Sequence, residues 1–349
     1  MKNKYKIIFL SVVIVASHFK CLGQLAYKWK VDTLANQPSL RGISVLNQNA
    51  VWVSGTNGTI AKTVDGGANW KIIEIPKTDA LDFRDIEVLS EKEVVVMSAG
   101  TGDLSNIYKT KDGGINWKKV KSNVLASGFY DGFTFSDVNE GMLGGDPIDN
   151  ILFLLKTADG GNSWKRIEPA LLPVMKEGEY GGFAASGSHL KALESSIWVG
   201  TGGASARIFY SSDKGKKWNV VDTPMIQGLG SQGIFSVDFY NTEIGIAVGG
   251  DYTKENEGVD NVILTSDGGK TWRLAAQFPV YQSAVRYTDK SNLISVGPAA
   301  CYNSTDGGNT WNKIAGLGFH TLSVSKDGTA WAAGRDGIIG ELVIDKEGK

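Results

Sequence analysis

Cysteine is nearly missing from this 349-residue chain: Cys21 and Cys301 are its only two. A cut near Gly23 would leave one thiol, and a lone thiol makes neither an internal disulfide nor a thiolate zinc site. Cys301 therefore reads as a small buried hydrophobe beside a strand. Histidine occurs three times and proline eight. The sequence shows no cluster of metal-ligand residues, no phosphate loop and no nucleophile motif, so neither a metal nor a cofactor is expected. Short glycine-rich pieces at Gly200–Gly203 and Gly249–Gly250 are turns between strands, since no helix follows them. Basic runs are missing too. The first 23 residues hold four lysines and no acid; beyond them 32 cations face 37 acids, a net charge near −5. A mildly acidic chain without a basic stripe is no phosphate-tracking nucleic-acid binder.

The N-terminus reads as an address label. Lys2, Lys4 and Lys6 form a positive head, Ile7 to Ala16 are mostly apolar, and Ser17 to Gly23 end in small residues. Ten apolar residues are too few to span a bilayer, so residues 1–23 are expected to be a signal peptide and 24–349 the mature domain. A lipid anchor on Cys21 is disfavoured, because His18, Phe19 and Lys20 do not suit a lipobox. The expectation is an exported protein, periplasmic or secreted, with no transmembrane span and a monomeric state.

What the chain has in abundance is glycine, 44 residues, and tryptophan, ten. Both recur in one octet, Thr/Ser-x-Asp-x-Gly-x-x-Trp. It places Asp65 with Trp70, Asp112 with Trp117, Asp159 with Trp164, Asp213 with Trp218, Asp267 with Trp272, and Asp306 with Trp311. Successive aspartates lie 47, 47, 54, 54 and 39 residues apart. Six copies in register mark a repeat protein. In each, the carboxylate is expected to accept the backbone amides that follow it, and the second glycine to take positive φ in a tight reversal. The tryptophan opens the next strand and is expected to wedge against the neighbouring repeat. One carboxylate per octet is too few for a calcium loop.

Three further β-rich runs precede each octet, in the first repeat Gly42 to Leu46, Ala50 to Ser54 and Thr59 to Thr63, with Trp70 to Ile75 as the fourth. Four antiparallel strands per 40–50 residues make a propeller blade. After Trp311 three such runs remain, Thr321 to Val324, Ala330 to Ala333 and Ile338 to Val343, with no octet following. Tyr27 to Val31, which repeats the Trp-Lys-x-Ile-like pattern found after the octets, supplies the missing outer strand. The reading is an all-β, seven-bladed β-propeller of four-stranded antiparallel blades, its ring closed by the N-terminal strand.

The octets resemble Asp-box, or bacterial neuraminidase (BNR), repeats. Arg41 to Val45 and Arg84 to Val88, each leading through Gly-rich turns to an octet, resemble the photosystem II stability/assembly factor-like propellers. The resemblance covers essentially the whole mature chain and implies a fold more than an activity, since such repeats occur in sialidases, other glycosidases and assembly factors. Nothing in the residues requires a photosynthetic role.

With blades running A to D outward, the octets are C–D turns and share one face with the short A–B turns. The longer segments gather on the other face: crossovers Glu168 to Gly181 and Asp222 to Gln232, and B–C loops Gly144 to Asn150, Gly200 to Ala206 and Asp251 to Asn261. That face is the expected functional one. Its channel mouth is expected to carry Arg41, Arg84, Asp131 and His320, with Glu179 and Tyr180 from a crossover. Such a ring suits an anionic or sugar-like ligand; alternatively these polar strand ends only satisfy one another. Asp251, Glu255 and Glu257 read as solvated loop charge rather than a metal site.

Two functions follow. One is a non-catalytic scaffold propeller that binds a protein or polar ligand on the long-loop face. The other is an exported glycoside hydrolase of sialidase type, whose chemistry needs three arginines, a Tyr–Glu pair and an acid/base aspartate. Only seven arginines exist; Arg41 and Arg84 are well placed, and Arg207, Arg286 or Arg335 is the possible third. Glu179 and Tyr180, as neighbours on extended chain, should point apart, which favours the scaffold.

Overall fold

A computed structural model describes residues 27–344, and the expected signal peptide lies outside them. Seven sheets of antiparallel strands succeed one another, five of them four-stranded and in simple chain order from the axis outward. The blade 5 sheet gains two short strands, Glu179–Tyr180 and Gly202–Gly203, beside its innermost strand. Blade 1 comprises Leu40–Val45, Val51–Gly55, Ile60–Thr63 and Lys71–Ile73. The innermost strands of blades 2 to 6 are Asp82–Val88, Tyr130–Phe135, Leu190–Leu193, Gln232–Phe239 and Ala284–Tyr287. Blade 7 is Thr321–Val324, Ala330–Ala333 and Ile338–Ile344, completed by Tyr27–Thr33. That outer strand pairs along its whole length, from Tyr27 against Ile344 to Thr33 against Ile338. The ring therefore closes by joining the two ends of the described chain. Among the described residues the helical elements are three short 3₁₀ turns, and no helix is long and apolar enough to cross a membrane.

The octets form the hairpins that their chemistry predicts, with one addition. In blade 1, Asp65 Oδ1 accepts the Asn69 amide at 2.9 Å. The Thr63 hydroxyl is the hub: it donates to Asp65 Oδ1 at 2.7 Å and accepts the Gly67 amide at 2.9 Å. The same hydroxyl–carboxylate–amide triangle recurs in the other five octets. Hydrogen bonds to the charged form hold Asp65 and Asp112 at a pKa of about 2. The first position of the octet is thus Thr or Ser because it must both donate and accept.

Blades lock together through the octets. The second glycine sits where the preceding blade presents a large B-strand side chain: Gly67 against Trp331, Gly114 against Trp52, Gly269 against Trp198. The octet tryptophans reach the same partners, with Trp70 edge-on to Trp331 at 6.0 Å and Trp117 edge-on to Trp52 at 6.4 Å. Blade 7 lacks an octet, and Trp29 takes its place, packing on Phe319 at 4.9 Å within the cluster that holds Ile294 and Cys301. Cys301 is fully buried, its thiol pushed up by that burial and directed to the Leu317 carbonyl.

Candidate functional site: a blind cup at the channel mouth

Four innermost strands begin with a β-bulge, and the bulged residue in each faces the channel mouth. Pairing skips Arg41 between Leu40 and Gly42, Arg84 between Phe83 and Asp85, Asp131 between Tyr130 and Gly132, and Phe235 between Ile234 and Ser236. A bulge inserts one unpaired residue and re-aims its side chain. All four line one cavity of about 440 Å³. His320, whose amide binds the Ala333 carbonyl at the start of blade 7, and Tyr180 line it as well.

The cavity is a cup rather than a channel, because residues 181–188 cross the axis beneath it. Arg41 Nη1 donates to the Ala185 carbonyl at 3.3 Å and Arg84 Nη1 to the Ala184 carbonyl at 3.0 Å. Thr321 of blade 7 donates to the Ser186 carbonyl, and the Ser186 hydroxyl binds the Ser283 carbonyl of blade 6. Gly187 takes φ +68°, and any Cβ there would meet the Asp85 carboxylate at 2.3 Å. A segment this thin is needed where chain passes between opposed blades. Nothing in the repeat pattern announces this plug; its run of Gly, Ala and Ser before blade 4 is the trace it leaves in the sequence.

Aromatic rings form one wall. Phe183 of the plug stacks on Phe235 at 3.9 Å, Tyr252 meets both edge-on, and Tyr281 packs on Phe235 at 4.8 Å. Arg41, Arg84 and Arg335 bring positive charge. Arg84 pairs with Asp82 at 2.7 Å, and Arg335 pairs with Glu255 from the long B–C loop of blade 5. Arg41 makes no ion pair among the described residues, though the Asp82 charge reaches it; burial first, then the Arg84 charge, lowers its pKa. Asp131 and Asp146 stand on the adjoining blade 3, both carboxyls raised by burial, Asp131 further by the Asp146 charge against a smaller opposing pull from the Arg84 charge and the Gly182 amide. His320 is held neutral, its pKa lowered to about 3 by burial and then by Arg41, Arg335 and Arg84.

The structure gathers Arg41, Arg84, Asp131, Tyr180 and His320, and it sets Glu179 apart. Glu179 is buried behind the wall, receiving both Arg207 Nε at 3.0 Å and the Thr201 hydroxyl at 2.6 Å. Its neighbour Tyr180 is exposed on the other side of a two-residue strand that pairs through Gly202 to Gly233, extending the blade 5 sheet. Arg207 is thereby removed as a third arginine. Arg286 is removed too, since it binds the Val285 carbonyl and the Ser236 hydroxyl and does not line the cup. Glu255 is more than solvated loop charge, because it lines the cup and binds Arg335. Asp251 closes its own loop through Thr253 and Gln232. Asp146, Phe235, Tyr252 and Tyr281 were not legible as site residues, since only the bulges and loop folding bring them inward.

Residues 23–124 match the family model described as photosynthesis system II assembly factor YCF48. No curated protein matches the chain. Among solved structures, YCF48 bound to D1 peptide superposes with a TM-score of 0.65 at 14% identity, over 91% of this chain and 96% of that one. YCF48 from Cyanidioschyzon merolae gives 0.66 at 15% identity, over 90% and 98%. A streptogramin B lyase gives 0.65 at 17% identity, over 91% and 98%, so this fold also serves an enzyme. Six octets in register, seven closed blades and the match over the first blades make the chain a BNR-repeat β-propeller, similar to the photosystem II assembly-factor family.

Proposed function

We propose that the protein is an exported, non-catalytic binding propeller that holds a polypeptide segment of a partner protein on its long-loop face, an acidic group of that segment seated in the cup. The observation that carries this reading is the pair of bulged arginines, Arg41 and Arg84, beside an aromatic wall. Two guanidiniums held close, one of them in no ion pair among the described residues, repel each other more than the shared Asp82 charge offsets, and an arriving anion relieves this. Exposed Tyr180 and Tyr252, which both line the cup, carry its aromatic lining to the surface, as the rim of a protein-binding face would. The relative of like fold described as bound to D1 peptide accords with a polypeptide ligand. Export rests on the pattern from Lys2 to Gly23.

A second reading, a glycoside hydrolase, draws support from Arg335 joining Arg41 and Arg84 in one cup. Against it, Glu179 and Tyr180 face opposite ways, and burial raises the Tyr281 phenol, which keeps its proton and is a poor nucleophile.

The test is affinity capture from extract of the source organism by the full chain. Capture should be lost for Arg41→Ala/Arg84→Ala and for the exposed Arg335→Ala, and kept for Lys216→Ala/Lys217→Ala on the octet face. Capture that survives at the cup but fails on the octet face overturns the proposal. Turnover of a fluorogenic sialoside, lost on Arg41→Ala, would install the hydrolase in its place.

A further inference from the structure

The cup has two poles, and each is frustrated when empty. On blades 1 and 2, Arg41 and Arg84 place like positive charges together; Arg41 donates one 3.3 Å hydrogen bond to a carbonyl and forms no ion pair among the described residues, Asp82 being paired with Arg84. On blade 3, Asp131 and Asp146 place two carboxyls together, and the Arg84 charge offsets only part of what burial and Asp146 do to Asp131. Asp131 is 3% exposed, and its Oδ2 atom has no hydrogen-bond partner among the described residues. Buried polar atoms are normally paired, so an orphan carboxylate oxygen facing a cavity marks the place of a donor that arrives from outside. Across the cup the His320 Nε2 atom is also buried and without a partner among the described residues.

Building on the reading of the cup as an anion-seating site, we propose that its ligand is dipolar, a carboxylate bound by Arg41 and Arg84 and an ammonium or guanidinium bound by Asp131 and Asp146. A single anion would relieve one pole and leave the buried Asp131 Oδ2 atom without a donor. A ligand carrying both charges relieves both, and each new contact is a charge-assisted hydrogen bond shielded from water. Burial disfavours the charged form of Asp131 in the empty cup, and an arriving cation restores it. The aromatic wall of the plug and blades 5 and 6 lines the same cup and offers cover to the apolar carbons that join the two charges. Two sources share this chemistry: the end of a polypeptide that finishes in a basic residue, and a free α-amino acid.

Calorimetric titration of the full chain with four probes separates the outcomes. Nα-acetyl-lysine carries a carboxylate and a side-chain ammonium, and L-norleucine a carboxylate and an α-ammonium. Nα-acetyl-norleucine is anion only, and Nα-acetyl-lysinamide cation only. One dipolar probe should bind about tenfold or more tighter than either single-charge probe, the worth of one good charge-assisted contact. Preference for Nα-acetyl-lysine identifies a peptide end, and preference for L-norleucine a free amino acid. Asp131→Asn should bring the dipolar probe down to the level of the anion-only probe while leaving the latter unweakened. Asp146→Asn, at a half-buried site, gives the same readout should Asp131→Asn fail to fold. Equal binding of dipolar and anion-only probes overturns the dipolar ligand and leaves the anion-seating site standing. Loss of no probe on Arg41→Ala overturns the anion-seating reading itself. Failure of both dipolar probes to bind at millimolar concentration overturns the dipolar ligand.

Discussion

Gly307 and Gly308 stand side by side in the blade 6 octet, both in the left-handed region, yet they do different work. A Cβ on Gly307 (φ +74°) would meet nothing within 4 Å, whereas one on Gly308 (φ +89°) would lie 3.0 Å from Ile246 and 3.1 Å from Leu264. Gly307→Ala is expected to lose about 1 kcal/mol from the left-handed backbone alone. Gly308→Ala should lose roughly 1–3 kcal/mol more, because it overpacks the joint with blade 5. Urea denaturation of the two variants checks this, and equal losses would deny the octet its inter-blade role. Positive φ at the second glycine was legible from the turn chemistry of the octet. The inter-blade contact was not, because the B-strand residue that fills the space, tryptophan, valine, methionine or isoleucine according to the blade, lies in a different repeat. The hydroxyl at the octet's first position carries a hub role that composition alone hides, since Thr and Ser suit strands and turns alike.

At the scale of the element, the closing strand is the most exposed to failure. Tyr27–Thr33 has no octet hairpin to fold it back, and its pairing with Ile338–Ile344 and the packing of Trp29 are its chief anchors. Trp29→Ala is expected to cost about 2–4 kcal/mol and to lower the thermal midpoint, as truncation of a large packed aromatic does. Lys30→Ala, which removes only an exposed ion pair with Glu341, should change stability by about 0.5 kcal/mol or less. A Trp29→Ala midpoint no lower than that of Lys30→Ala would mean that the ring does not depend on this strand. The blades themselves were legible because each is local: four short runs and a signed hairpin within about fifty residues. The plug and the bulges were not. Residues 181–188 accept from the guanidiniums of blades 1 and 2 and from the Thr321 hydroxyl of blade 7, and donate to a hydroxyl of blade 5 and a carbonyl of blade 6. These partners lie up to 144 residues away, and no local pattern encodes such a path.

Across the whole molecule, burial along the axis sets opposing responses to pH. Glu87 faces the channel from blade 2 with Lys191 and Arg286 as its cations, and burial outweighs them, raising its pKa to about 7. A raised acid pKa means that the folded state holds the proton longer, so this contribution is full below the unfolded value of 4.5 and is lost as pH rises through 7. His189 and His320, lowered to about 3, act the other way, since the unfolded chain takes up protons below 6.5 and the folded one does not. The octet aspartates held at about 2 add a further loss as pH falls from 3.8 toward 2. Glu87→Gln should therefore gain on the native protein between pH 5 and pH 8, by roughly 1–3 kcal/mol in denaturant titrations at the two values. A gain that does not grow with pH would show that Lys191 and Arg286 fully compensate the charge. The sequence alone determined the number of blades, the hairpins and the way the ring closes, because a repeat states the same local physics over and over. Only the tertiary structure decided that the mouth is a blind cup, that Glu179 turns away from it, and that Arg335, Asp146 and the aromatic wall turn in. Those residues meet because a ring brings distant strand ends to one axis, and a side chain's direction there is set by bulges and neighbours that the repeat does not record.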